Sequence, residues 1–172
     1  TKEVYMKLTK ALAMVALLFM GMVNVASAQS DDHVVNVEIQ AINEIAIAGD
    51  VSLSVSTATA GSDPTAATGG TTYSITTNDN GGTTRITAST SLDPASLGDG
   101  PGNDLALKVT ATAPTGGTSA GTVTLGTTAA NVVTAMDAVS QSGVALGYTL
   151  SATAETGQLT STAITVTYTI VN

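Results

Sequence analysis

The side chains that could do catalytic chemistry are few in this sequence and stand far apart. His33 is the only histidine, it lies beside Asp31 and Asp32, and there is no cysteine. A Ser/His/Asp enzyme needs a nucleophile and an orienting carboxylate placed around its histidine, and no motif of that kind surrounds His33. Thiolate zinc sites and cysteine nucleophiles are excluded outright. The sequence therefore predicts no catalytic residue and no enzyme.

The carboxylates are scattered over turns that also contain glycine or proline. A glycosidase needs two of them across a sugar cleft, and only three tyrosines follow residue 28 to line such a cleft. The candidates for a weak Ca²⁺ site are Asp79, Asp99 and Asp104, which supply hard oxygen ligands on loops but do not follow EF-hand spacing. Ordinary turn chemistry is the alternative, because Asp bonds its own backbone in turns. We expect no cofactor, with Ca²⁺ as the one ligand left open.

The N-terminus has the pattern of a cleavable signal peptide. Lys7 and Lys10 precede an apolar run over residues 11–23, and Ala26 and Ala28 form an A-x-A cleavage site. The apolar run is shorter than the roughly 20 residues that a membrane-spanning helix needs. The sequence therefore predicts a secreted or cell-surface protein with no stable membrane insertion after cleavage.

The charge of the mature chain limits its partners. Twelve of the 13 acidic residues follow Ala28, but only Arg85 and Lys108 of the five basic ones do, which gives a mature net charge of −10. Such a surface repels phosphate backbones and anionic lipid. We therefore expect no nucleic acid partner and no free binding to membranes.

Alternation of apolar and polar residues predicts strands along most of the mature chain. The clearest runs cover residues 105–109, 144–152 and 164–170. Asn78–Gly82 is a strong turn signal, and it predicts a hairpin between residues 73–77 and 84–89. Residues 57–72 carry no periodic apolar face and are predicted to be a loop. Residues 129–140 fit either a helix or a strand and turn, and we favour the strand.

Eight or nine short strands with frequent turns and no long helix indicate an all-β fold. The specific expectation is a single antiparallel immunoglobulin-like β-sandwich. The chain then divides into residues 1–28 (upstream residues and signal peptide), 29–42 (N-terminal extension) and 43–172 (sandwich domain).

The extension carries an alternating apolar stripe directly after the cleavage site, formed by Val35, Val37, Ile39 and Ala41. Such a segment can leave its own domain and complete the sheet of a neighbouring copy, with main-chain hydrogen bonds for affinity and side chains for specificity. The alternative is an ordinary first strand of the chain's own sandwich. The stripe is the sharpest functional signal in the sequence.

The last predicted strand lacks the residues that usually prevent an exposed strand edge from pairing with another chain. It carries no charge, and its inward face is predicted to consist of Ile164, Val166, Tyr168 and Ile170. Soluble β proteins usually blunt exposed edges with lysine, proline or inward charges. A strand without them is either covered within the fold or paired by another chain, so these four residues are predicted interface residues.

Taken with the stripe and the Thr-rich body, the terminal run Tyr168-Thr169-Ile170-Val171 resembles secreted pilin-like β-sandwich subunits, of the donor-strand pilus and spore-coat-protein-U-like kinds. The resemblance lies in the pattern of the whole mature chain. It implies a structural subunit of an extracellular filament, pilus or surface coat that self-associates into a homopolymer, by an assembly route that the sequence leaves open. The alternative is a monomeric secreted or periplasmic binding or adhesion module with a weak Ca²⁺ site.

Overall fold

The computed structural model describes residues 29–98, 100 and 104–172. The predicted signal peptide, with Ala26 and Ala28, lies outside the described residues. The chain divides into two compact units, Thr1–Glu38 and Ile39–Asn172. In the first unit, the described residues are exposed and belong to no strand. No helix among the described residues is long and apolar enough to cross a membrane.

The described residues of the second unit form nine strands and two short 3₁₀ turns. The strand bounds are β1 Asn43–Ile47, β2 Ala67–Thr77, β3 Thr84–Thr90, β4 Ala106–Ala111, β5 Thr118–Ser119, β6 Thr122–Thr124, β7 Ala130–Met136, β8 Val139–Ser151 and β9 Val166–Val171. They form a five-stranded sheet in the order β1-β2-β8-β4-β6 and a four-stranded sheet in the order β5-β7-β3-β9. Every pair is antiparallel. The predicted all-β class is confirmed.

A single apolar core fills the space between the inner faces of the two sheets. Alternate residues of β3, β4 and β8 are buried, as period-two patterning requires. The predicted alternation in β4 and β8 is confirmed. The core cluster consists of aliphatic residues, Met136 and two tyrosines, with no tryptophan or phenylalanine to add bulk.

The strand interpretation of residues 129–140 is confirmed, since β7 runs from Ala130 to Met136. Its pairing with β3 shifts between Thr84↔Met136 and Ile86↔Val133, so two residues of β7 face one residue of β3. This is a β-bulge, and it places Ala135 at φ 54. This irregularity explains why the spacing of apolar residues in this stretch matches neither a regular helix nor a regular strand.

The predicted hairpin between residues 73–77 and 84–89 is wrong. These segments lie in β2 and β3, which belong to different sheets. Both edges of β2 are already occupied, one by β1 and the other by β8. The turn at Asn78–Gly82 therefore carries the chain from one sheet to the other instead of folding it back on β2.

The predicted loop over residues 57–72 is wrong at its C-terminal end, because β2 already begins at Ala67. Gly69 faces inward at a point where a Cβ would come within 2.9 Å of Val51 Cγ1 and of Leu53 Cδ2. The side chains of Val51 and Leu53 thus take the space that an apolar residue of β2 would fill. The N-terminal half of β2 therefore lacks a periodic apolar face, because residues of the preceding segment fill that part of the core.

Candidate strand-pairing surface

The N-terminal stripe predicted from sequence is exposed. The exposed fractions of Val35, Val37 and Ile39 are 68%, 88% and 86%, and Ala41 is exposed as well. None of them lies in a strand of either sheet. An aliphatic segment with a β pattern and this degree of exposure is unusual for a folded protein and points to a partner surface.

One side chain fixes the point at which this segment joins the sheet. Asn78 Oδ1 accepts a hydrogen bond from Ile42 N at 2.8 Å, and Asn78 Nδ2 donates to Gln40 O at 2.7 Å. Asn78 N also donates to Ile42 O at 3.2 Å. These bonds extend the β1–β2 pairing past Asn43 and hold Gln40–Ile42 in line with β1. The local sequence predicts only a turn at Asn78, since the partners of its side chain lie far away in the chain.

The two sheets end in four edge strands: β1 and β6 in the larger sheet, β5 and β9 in the smaller one. β5 and β6 have only two and three residues. β1 has five residues and β9 has six. The two long open edges in the described part of the chain are therefore those of β1 and β9.

The predicted inward face of the last strand is confirmed. Its four residues are partly buried and pack against the core, while the intervening threonines are exposed; the four are Ile164, Val166, Tyr168 and Ile170. Ile164 precedes the first residue of β9 but keeps the same alternation. The uncharged last strand is therefore partly covered by its own core, and its outer backbone edge is what stays open.

The pairing of β9 with β3 shows which backbone groups face the open side. Ser91 N donates to Thr165 O at 2.9 Å, and Thr165 N donates to Ser91 Oγ at 3.0 Å. Antiparallel pairs alternate between hydrogen-bonded and non-hydrogen-bonded positions, and the β3–β9 register has no shift. The N–H and C=O groups of Val166, Tyr168 and Ile170 consequently point away from β3, where no described strand pairs with them.

β1 lies close to β9 across the two sheets. Asn43 Nδ2 donates to Asn172 Oδ1 at 3.4 Å. Ile45 and Tyr168 lie over the same group of core residues. Ile47, which shares a face with Ile45, is 39% exposed. Ile47 is therefore an apolar side chain of β1 that the core leaves partly uncovered.

The two candidate Ca²⁺ ligands in the described part of the chain, Asp79 and Asp104, belong to no metal-binding cluster. Asp79 accepts hydrogen bonds from Thr84 Oγ1 at 2.8 Å and from Gly81 N at 3.0 Å, and these bonds, the Thr84 one foremost, lower the pKa of Asp79. Asp104 is exposed and Asp99 lies outside the described residues. Among the described residues, no three His, Cys, Asp or Glu side chains come together as a metal site. Asp79 shapes the turn between the sheets.

His33 is exposed in the N-terminal segment. Comparison of the chain with protein-family models, with curated proteins and with solved structures finds no match. Among the described residues, the exposed stripe and the open strand edges are the features that no other strand covers.

Proposed function

We propose that this protein is a secreted, non-enzymatic structural subunit of an extracellular filament, pilus or surface coat. Its copies assemble by β-strand complementation, in which the N-terminal extension of one copy adds a strand to an immunoglobulin-like sandwich of the next. The observation that carries the proposal is the coexistence, in one chain, of an exposed β-patterned aliphatic stripe and unpaired strand edges beside a partly uncovered core.

The driving force is the burial of the stripe. Moving a valine or isoleucine side chain from water into an apolar site contributes about 1.5–3 kcal/mol. Val35, Val37 and Ile39 are each more than two-thirds exposed, so most of this free energy is available for association. Main-chain hydrogen bonds to an open edge satisfy the backbone of the same segment.

The geometry favours an open polymer. The donor segment and the acceptor edges are different parts of the chain, so each contact is head-to-tail. Such contacts form a ring only when the rotation closes, and otherwise they generate a helical filament. The expected product is a homopolymer of non-covalently joined copies.

Electron microscopy of the purified mature chain, residues 29–172, tests this proposal. The decisive variant is Val37→Asp with Ile39→Asp, which places two charges on the apolar face of the stripe. The matched control is Asn36→Asp with Gln40→Asp, which makes two Asp substitutions in the same segment on the opposite face. We expect filaments from the parent and the control, and dispersed particles from the decisive variant.

Two other outcomes are informative. Monodisperse parent protein at high concentration contradicts self-assembly and favours the monomeric binding or adhesion module. Equal loss of filaments in both variants shows that added charge, not the apolar face, governs assembly, and the stripe is then not the donor strand.

A further inference from the structure

The open edges differ in what they offer an incoming strand. β5 and β6 are too short for a continuous ladder, with two and three residues. β1 presents five residues, but Glu44 stands on its outer face. β9 presents six residues without a charge, and its unpaired N–H and C=O groups belong to the residues whose side chains pack on the core.

The charged residues near each edge also favour β9 over β1 as the acceptor. When Val37 and Ile39 face inward, period-two geometry places Glu38 on the solvent face. Arg85 lies on that same face of β3, opposite Val171 of β9, and forms no ion pair within the described residues. A strand added parallel to β9, with Glu38 beside Val171, would lie along residues 167–172 and would bring Glu38 within about 10 Å of the Arg85 backbone, two strand spacings, which these long side chains can bridge. On β1 the same carboxylate would meet Glu44.

The bonds of Asn78 decide whether the donor comes from the same copy or from another. Asn43 contacts Asn172, and Ile45 lies near Tyr168, so β1 and β9 run in opposite directions. A fold-back onto β9 of the same copy would need the chain to reverse just before Asn43. Asn78 holds Gln40 and Ile42 in an extended line there, which opposes that reversal.

We propose that the acceptor is the open edge of β9, that its occupant is residues 34–39 of a second copy, and that Glu38 of this strand meets Arg85 across β9. This inference rests on the proposed function and adds the edge, the partner and the charge contact. Arg85 is a positioning residue that selects the edge and the register, since electrostatic complementarity gives specificity more than affinity.

Disulfide mapping tests the edge, and the natural chain contains no cysteine to interfere. Copies that carry Asn36→Cys, on the solvent face of the donor, are mixed with copies that carry Thr167→Cys or Thr169→Cys on β9. Matched acceptors carry Ala46→Cys on β1 or Thr124→Cys on β6. Because a disulfide requires Cβ atoms about 3.5–4.5 Å apart, only neighbouring strands cross-link efficiently. We expect heterodimers with β9 in at least about five-fold excess over those with β1 or β6.

Each other result has its own meaning. Filaments whose heterodimers form mainly through Ala46→Cys or Thr124→Cys, or through none of the four positions, overturn the β9 assignment but leave strand complementation standing. Absence of both filaments and cross-links removes the proposed function itself. A copy that carries both Asn36→Cys and Thr169→Cys and cross-links internally at high dilution contradicts the second-copy occupant.

Charge reversal tests the contact. Glu38→Arg and Arg85→Glu should each raise the protein concentration needed for assembly about five-fold, the scale of an exposed ion pair. The combined variant should restore it, because each junction regains opposite charges. Asp50→Arg and Lys108→Glu, at positions outside the proposed contact, are the matched controls and should leave assembly within about two-fold. Independent, additive effects of the two reversals would show that Glu38 and Arg85 do not meet.

Discussion

The hydroxyl oxygens of Tyr148 and Tyr168 lie 2.6 Å apart and form a hydrogen bond between the two sheets. Tyr148 is in β8 of the larger sheet, and Tyr168 is in β9 of the smaller one. Burial raises the pKa of both tyrosines above its ordinary value. This bond joins the strand with the open edge to the centre of the opposite sheet, so it supports the surface proposed for assembly.

Removing one partner of this bond should destabilise the protein more than removing both. Tyr168→Phe leaves the hydroxyl of Tyr148 without its partner, and we expect the free energy of unfolding to fall by about 1–2 kcal/mol. Tyr148→Phe should behave similarly, while the double variant should cost less than the sum because no orphaned hydroxyl is left. Urea unfolding of the four proteins measures the coupling, and additive effects would show that the bond contributes nothing.

Alkaline pH should weaken the fold through Tyr73. Its hydroxyl donates to Thr112 O at 2.6 Å, and burial raises its pKa from the ordinary 10.0 to about 12. The folded state therefore keeps a proton that the unfolded state has already lost above pH 10. The free energy of unfolding should be unaffected by this group below pH 10 and should fall between pH 10 and about 12.

Urea unfolding over a series of pH values checks this expectation. The control is Tyr73→Phe, which removes the titrating group and should flatten part of the decline. An identical decline in the parent and in Tyr73→Phe would assign the alkaline loss to the other tyrosines.

The alternation of apolar and polar residues was sufficient to predict a strand wherever one face of the strand is exposed to solvent and the other is buried. The runs at 105–109, 144–152 and 164–170 alternate because each strand of these runs borders solvent on one side and the core on the other. The same reasoning found the inward face of Tyr168 and Ile170. It failed for the supposed hairpin, because the neighbours that occupy both edges of β2 come from distant parts of the sequence.

The candidate surface was predictable in part for the same reason. The alternating pattern of Val35, Val37 and Ile39 can be read from the sequence. Their exposure cannot, because it depends on whether another part of the fold covers them. The role of Asn78 depends on Gln40 and Ile42, nearly forty positions earlier, so no local signal announces it. The place of Arg85 beside the last strand likewise follows only from the sheet order.

The contact between Gly69 and the segment before β2 can be tested by adding one methyl group. Gly69→Ala places a Cβ about 2.9 Å from Val51 Cγ1 and Leu53 Cδ2, and overpacking of this kind costs about 1–3 kcal/mol. Gly147→Ala is the matched control in β8, since its Cβ would lie 3.8 Å from the nearest atom. Thermal or urea unfolding should show a clear loss only for Gly69→Ala.

A second substitution identifies the cause. Leu53→Ala empties part of the space, so Gly69→Ala should cost less in that background than in the parent. Equal costs in both backgrounds would show that Leu53 does not limit the room at Gly69.

The bulge in β7 offers a stabilising change. Ala135 is exposed and sits at φ 54, a left-handed conformation that disfavours side chains with a Cβ. Ala135→Gly should raise the free energy of unfolding by about 0.5–1 kcal/mol, because glycine accepts this φ without steric cost.

Ala130→Gly, at the start of the same strand, is the control and should lower the free energy of unfolding by about 0.5–1 kcal/mol. Urea unfolding of both variants measures the two signs. A loss at Ala135 as large as that at Ala130 would mean that the left-handed conformation carries no strain.

The pairing of β3 with β9 also determines how the protein reaches its folded state. These strands come from opposite halves of the chain, as do β2 and β8, so loops must close over long stretches of sequence before either sheet gains its ladder. Domains with such non-local pairing fold on timescales of roughly milliseconds to seconds. Until β9 arrives, β3 has a bare edge above unshielded aliphatic residues. Chains that stop before residue 164 should therefore aggregate, and full-length chains should be most vulnerable while they are still emerging from synthesis.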